Sequence, residues 1–378
     1  MKLKKKINGY HSCFALIVLV LALMPVLLMN GAVKGTTVLF LGKCTAFAIV
    51  AIGLDLIWGY TGILSLGHGL YFCLGAYGMG MYLKMVQTQG KITDFMQVGG
   101  LKELPLIWKP FLSLPGTFLM IVLVPIVVSG IIGHFIFKNR VRGVYFSIIS
   151  QALTWAAYSI FIALSPYTNG NVGISQIQSL LGSLRGDKNQ GNLIILFYVA
   201  LAFLVAVYSL SAYLVKTKFG RLLIAIRDGE NRTYFSGYCV SSFKTFIYVV
   251  SALFAAIAGA LFVNFNGSIT PTQMSISYSI TMVIWVAIGG RGTLIGAVIG
   301  AFLINLCEYN LSSGSLAESW QYIIGLLFVV TILFFKGGIV GIARDQLPVL
   351  AASLKNRSQS KRKGRRSAGM AAAEKGAA

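Results

Sequence analysis

Acidic side chains are the scarcest chemistry in this chain: ten Asp and Glu stand against 32 Lys and Arg in 378 residues. Each acid can therefore be placed. Asp94, Glu103, Asp187, Asp228, Glu230, Asp345 and Glu374 fall between apolar runs, Glu318 at the edge of one, and only Asp55 and Glu308 within them. No carboxylate pair, His/Cys metal cluster or nucleophile with a neighbouring base emerges, so an enzyme reading has little support. A proton-driven carrier needs a relay of acids or histidines inside the bilayer, and the three histidines (His11, His68, His134) form no such series. No phosphate-binding loop is present either, since Gly90-Lys91 is followed by Ile92 rather than Ser or Thr. If transport is driven by ATP, another chain binds the nucleotide, and this one carries no cofactor. The five cysteines (Cys13, Cys44, Cys73, Cys239, Cys307) have no disulfide or metal spacing and read as small apolar packers.

Apolar length is what the chain has in excess: 56% of residues are hydrophobic and 11% charged. About 20 apolar residues cross a bilayer core. Length and Gly, Pro and charge punctuation give ten candidate spans, at 14–29, 37–58, 69–85, 115–137, 143–165, 192–215, 245–265, 277–289, 293–309 and 320–335. The eighth is too short to cross and reads as a re-entrant or tilted piece. The expected fold is an all-α polytopic membrane protein, with a cytoplasmic segment 1–13, a transmembrane domain 14–342 and a basic, disordered tail 343–378. Lys2 and Lys4–Lys6 before Phe14–Leu28 imitate a signal peptide but read as an uncleaved first span. Bases concentrate at 138–142, 216–244 and Arg291, whereas the loops 86–114 and 166–191 mix few bases with acids. This asymmetry puts both termini in the cytoplasm. The net charge of +22 belongs to loops and tail, which suits anionic lipid rather than nucleic acid.

One stretch interrupts the pattern. Gly59–Gly80, GYTGILSLGHGLYFCLGAYGMG, is broken by Gly59, Gly62, Gly67 and Gly69 inside an apolar region. Non-helical backbone at membrane depth is tolerated only where protein buries it or a wet cavity lies beside it, so Ser65, Gly67, His68 and Gly69 are pathway candidates, with His68 expected near the inner face. A polar stripe at Ser147, Ser150, Gln151 and Thr154 suits either neighbouring helices or a small polar permeant. Small residues at four-residue spacing, Gly292, Gly296 and Gly300 and again Ser251, Ala255 and Gly259, are expected to let helix backbones touch. The cytoplasmic stretch Phe219–Ile226 reads as a short amphipathic surface helix, suited to the membrane surface or to a partner's groove. A faint internal echo aligns AIGLDLIWGYTG (51–62) with AIAGALFVNFNG (256–267) in opposite orientations, the mark of an inverted repeat.

At GYTGILSLGHGLYFCLGAYGMGMYL (59–83), RVRGVYFSIISQAL (140–153), GRLLIAIRDGE (220–230) and MVIWVAIGGRGTLIGAVIGAF (282–302) the chain resembles the inner-membrane permeases of bacterial ABC importers for branched-chain amino acids and urea. The likeness runs from about Thr36 to Ile342, and the wording of the first and last segments is similar to the urea branch. The resemblance implies a second, related permease subunit, two cytoplasmic ABC ATPases, a periplasmic binding protein and passage by alternating access. It also implies that Gly220, Arg221, Ala225, Arg227 and Asp228 couple the permease to an ATPase. The sequence departs from the family at Tyr278, where members often carry an acid. The expected function is urea import, with branched-chain amino acid import as the alternative and an ATPase-independent channel or carrier as the reading from another class.

Overall fold

The computed structural model describes residues 2–141, 143–182, 190–312, 322–323, 325–326, 329–330 and 337–341. Twelve α-helices follow in order within it: α1 Lys2–Met29, α2 Gly35–Thr61, α3 His68–Gln87, α4 Asp94–Val98, α5 Leu114–Lys138, α6 Val144–Ala163, α7 Ser165–Thr168, α8 Gln190–Lys216, α9 Lys218–Phe235, α10 Val240–Asn266, α11 Ile276–Gly289 and α12 Leu294–Ser312. Short 3-10 turns occupy Leu106–Leu112 and Pro271–Met274. Among the described residues there is no sheet, only two isolated bridges. Seven helices are long and apolar enough to cross a membrane: α2, α5, α6, α8, α10, α12 and the His11–Met29 part of α1. The expected third span is the 20-residue α3, outside those seven, and the expected eighth is the 14-residue α11. The tenth expected span and the basic tail lie largely or wholly outside the described residues. The chain is a polytopic helical membrane protein.

Sequence decides which helices are central. α2 and α10 are each 72% buried along their apolar windows, whereas α1 and α6 are 22% and α5 28% buried, so the first two form the axis and the others face outward. α10 packs along α2, α3 and α5, and α2 also meets α8 and α12. Contact is close because small residues meet backbone. A Cβ on Gly259 would lie 1.9 Å from the Phe72 carbonyl oxygen, and one on Gly75 2.0 Å from that of Ala256. Without hydrophobic drive between helices in lipid, such backbone approach is a main source of association.

The expected stripe on α12 needs one correction. Gly296 and Gly300 do face α11, with a Cβ on Gly300 falling 1.9 Å from the Trp285 carbonyl oxygen. Gly292 lies before α12, in the tight turn after α11, with φ +75. The glycine that completes the contact is Gly289, whose Cβ would sit 1.9 Å from the Gly296 oxygen. A four-residue spacing in sequence carried the stripe one turn past the point where the helix starts.

Candidate functional site

Two helices of the axis stop at glycine inside the structure. α2 ends at Gly62 (φ 77, ψ 5) and α10 at Gly267 (φ 71, ψ 9), both left-handed C-caps. A side chain in that region is strained, which is why glycine ends both helices. These are the paired positions of the sequence echo. After each cap the chain runs without α-helix, through 63–67 and 268–275, before α3 and α11 begin.

The first return is held by hydroxyls of α6. Ser147 Oγ donates to the Leu64 carbonyl (2.7 Å), and the Leu66 N–H donates to Ser150 Oγ (3.1 Å). Ser150 in turn donates to the Ser147 carbonyl (2.9 Å) and Thr154 to that of Ser150 (2.8 Å). Three members of the polar stripe thus satisfy or flank backbone that the break leaves without helical partners. Gln151 lies off this buried face and is half-exposed. Gly67 packs between Ser150 and Thr154, where a Cβ would lie 3.2 Å from the Ser150 carbonyl oxygen.

His68 opens α3 and is 1% exposed. Its Nε2 is 2.6 Å from Ser251 Oγ, and its Nδ1 3.0 Å from Ser65 Oγ. Ser251 Oγ donates to the Gly53 carbonyl (2.5 Å), so Ser251 accepts from the imidazole, and the Nε2–H tautomer follows, with Nδ1 receiving the Ser65 hydroxyl. The expectation that His68 lies near the inner face is overturned. Ser251 falls near the middle of α10, and Gly53 lies more than two turns inside the end of α2. Five extended residues rise by roughly 17 Å, which carries His68 from the helix end to the middle of the bundle. The first turn of α3 there meets the second break. A Cβ on Gly69 would lie 2.7 Å from Ser279 Oγ and 2.8 Å from the Gln273 carbonyl oxygen.

The C-terminal end of α2, where Arg227 and Arg291 approach it, is a second junction. Asp55, fully buried, accepts from the Gly292 N–H at 2.6 Å. Arg227 of α9 donates through Nη1 to the Gly59 carbonyl at 2.9 Å, and its Nε lies 3.0 Å from Asp228 Oδ1. Its Cγ would be 2.9 Å from a Cβ on Gly62. The Arg291 guanidinium stands over the Trp58 ring at 5.1 Å. Burial and the nearby Arg227 charge press the Arg291 pKa below its ordinary range, and Asp55 acts against them. One carboxylate and one guanidinium thus tie α2 to the α11–α12 turn and to α9.

That helix is longer than the expected Phe219–Ile226, running Lys218–Phe235 with a kink at Gly229. Gly220, Leu223 and Ile226 are buried, while Arg221, Ala225 and Asp228 face outward. Gly220 is obligatory, since a Cβ there would lie 2.2 Å from the Val215 carbonyl oxygen.

The second break is held mainly by backbone. Ile174 and Ile269 exchange N–H···O bonds, and the Ile177 N–H donates to the Gly267 carbonyl (2.9 Å). Thr270 and Gln273 form a capping box over its 3-10 turn. Beside it lies a cavity of about 440 Å³ lined by Gln176, Gln178, Asn264, Asn266 and Ser268 among others. Sequence reading missed Ser251 as the partner of His68, Asp55 as the partner of Gly292, and the Gln273 contact to Gly69. Each joins residues far apart in the chain. Tyr278 sits in an aromatic cluster, 5.9 Å from the Phe72 ring and 6.5 Å from that of Phe47.

No solved structure matches the chain. It is similar to the high-affinity branched-chain amino acid transport system permease protein LivM of Salmonella typhimurium, 23% identical over 90% of this chain and 78% of that protein. LivM of Escherichia coli K12 is 23% identical over 88% of this chain and 75% of its own length. The ribose import permease protein RbsC of Haemophilus influenzae is 25% identical over 60% and 68% respectively. Residues 36–333 match the family described as branched-chain amino acid transport system / permease component. With its seven candidate spans, the chain is a multi-pass inner-membrane protein and belongs to this family of transport permeases.

Proposed function

We propose that the chain is the membrane subunit of an ATP-binding cassette importer for urea, working with a second homologous permease, two cytoplasmic ABC ATPases and a periplasmic binding protein. The observation that carries this is the chemistry of the first break. The side chains at and beside it are Ser65, His68, Ser147, Ser150 and Thr154, all buried, uncharged in the hydrogen-bonding pattern described, and joined to hydroxyls or to backbone amides and carbonyls. A neutral planar solute rich in donors and an acceptor needs such a path and no counter-charge. Gly67 and Gly69 let the break seat closely against α6 and against Gln273 and Ser279, where a side chain would clash, and half-exposed Gln151 on α6 extends the same chemistry. The link from Arg227 to Gly59 supplies the route by which an ATPase docked on Arg221, Ala225 and Asp228 would move the end of α2.

Branched-chain amino acid import is the second reading. Two LivM relatives cover 88% and 90% of the chain. The N-terminus of α3 also lies deep in the bundle with no side-chain cap, and helix N-termini at mid-membrane receive substrate carboxylates in other transporters.

Reconstitution of the permease pair with its ATPases and binding protein in proteoliposomes separates these readings. The expected result is ATP hydrolysis and uptake stimulated by urea and indifferent to leucine. Stimulation by leucine alone transfers the assignment to amino acids. Solute uptake that continues without the ATPases points to a self-sufficient channel or carrier.

A further inference from the structure

We infer that the cytoplasmic end of the bundle carries a binding site for the phosphate of an anionic phospholipid, in the pocket between α5, α10 and the second half of α9. This cavity of about 450 Å³ is lined by Phe137, Lys138, Arg140, Glu230, Tyr234 and Val240 among others. Its level is fixed by covalent structure. Lys138 is the last residue of α5 and Val240 the first of α10. A pocket bounded by the ends of two membrane-spanning helices opens where headgroups lie. Basic pockets of this kind on the cytoplasmic side are where anionic headgroups bind.

Charge in the pocket is unbalanced in the direction a phosphate requires. Its one carboxylate, Glu230, is already held by Lys244 at 2.7 Å. Lys138 and Arg140 are exposed, and neither makes an ion pair with a carboxylate among the described residues. Arg140 is in addition placed. Its backbone adopts φ 55, which a side chain rarely does, and its guanidinium stands 4.8 Å from the Tyr234 ring centroid. The guanidinium keeps its fork for an anion while the aromatic face supports it. Around the pocket Tyr234, Phe235 and Tyr238 are 50%, 85% and 49% exposed, the aromatic fringe expected at a membrane interface.

The site is separate from the coupling face. Gly229 kinks α9, and the pocket takes Glu230, Asn231, Tyr234 and Phe235 from beyond the kink, whereas Arg221, Ala225 and Asp228 precede it. A lipid seated there would brace the second half of α9 against α5.

The test uses the full chain purified in a neutral detergent, with phosphatidylglycerol or phosphatidylcholine added as mixed micelles. Lipid retention is read by native mass spectrometry and thermal unfolding by fluorescence. The wild type is expected to retain phosphatidylglycerol and unfold at higher temperature with it, and to ignore phosphatidylcholine. Lys138→Ala with Arg140→Ala should weaken retention by roughly 25-fold, at about fivefold for each base. Lys138→Arg should keep it, which distinguishes loss of charge from loss of fold. Equal retention by the double alanine variant overturns the proposal. So does equal stabilisation by inorganic phosphate without lipid, which would make the site one for a free anion. A double variant that loses ATPase binding while keeping phosphatidylglycerol overturns it as well, and assigns the pocket to the protein partner.

Discussion

The two breaks have the same backbone plan and opposite fastenings. Each follows a 27-residue helix that ends at a left-handed glycine, Gly62 or Gly267, and each leads to a helix that starts within the bundle. The first is fastened by side chains from distant elements: Ser147 and Ser150 from α6, Ser251 from α10, and Arg227 from α9. The second is fastened by backbone pairing with Ile174 and Ile177 and by its own capping box. Side-chain fastenings can be exchanged one at a time as helices shift, whereas paired backbone groups must open together. If the chain works by alternating access as proposed, the first break is the element expected to move and the second the abutment it moves against.

The largest effect should come from severing the end of α2, just before the first break, from α9. Arg227→Glu removes the donor to the Gly59 carbonyl, 168 residues away in sequence, and puts negative charge beside that acceptor. ATP-dependent uptake is expected to fall by roughly a hundredfold, the scale of losing a charged hydrogen-bonded contact, while the purified protein stays monodisperse. Arg221→Glu, on the outward face of the same helix, should lower ATPase association without disturbing α2. Uptake near wild-type levels in Arg227→Glu would remove the coupling role.

Next comes the place where the breaks touch. Gly69→Val drives a branched side chain into the Gln273 carbonyl of the second break and into Ser279 of the following α11, so it should overpack by about 1–3 kcal/mol. Gly67→Val meets only the first break's support on α6, starting 3.2 Å away. Uptake should fall in both and further in Gly69→Val, with membrane insertion retained as measured by protease protection. If both variants transport normally, the contact is packing alone.

Much of this was legible in the chain because apolar length and glycine are local signals. The nine expected spans that fall on described residues correspond to helices, and the αL caps at Gly62 and Gly267 fall on the paired glycines of the echo. Depth was not legible. Only five residues separate His68 from Gly62, and sequence cannot tell a surface turn from a segment that climbs through the bundle. The hydrogen bonds that decide it, Leu66 to Ser150 and His68 to Ser251, span 84 and 183 residues. For the same reason Ser251 read only as a small residue for packing, and Gly292 as a helical one.

A smaller effect separates the fastenings themselves. Ser150→Ala leaves the Leu66 N–H without its acceptor inside the bundle, at a cost of about 1–3 kcal/mol. Thr270→Ala removes one half of a capping box whose other half, Gln273 to the Thr270 N–H, persists at 2.9 Å, so about 1 kcal/mol is expected. Unfolding by SDS in mixed micelles reads both. A Thr270 variant costing more than the Ser150 variant would reverse the assignment of mobile and fixed break.

The finest comparison is between the caps. Alanine at either Gly62 or Gly267 forces a side chain into the left-handed region, and each should lose about 1–2 kcal/mol from that strain. Their surroundings differ. A Cβ at Gly267 would find only the Ile177 carbonyl oxygen, at 3.3 Å, but at Gly62 it would find Arg227 Cγ at 2.9 Å. Gly267→Ala should therefore lower stability while leaving the ratio of solute moved to ATP hydrolysed unchanged. Gly62→Ala should lower stability by a similar amount and also displace Arg227 from Gly59, so that ATP is hydrolysed with less solute moved. Because strain is common to the pair, any difference in that ratio isolates the contact between α9 and the end of α2. Identical ratios in the two variants would mean that α9 drives the bundle through some contact other than Arg227.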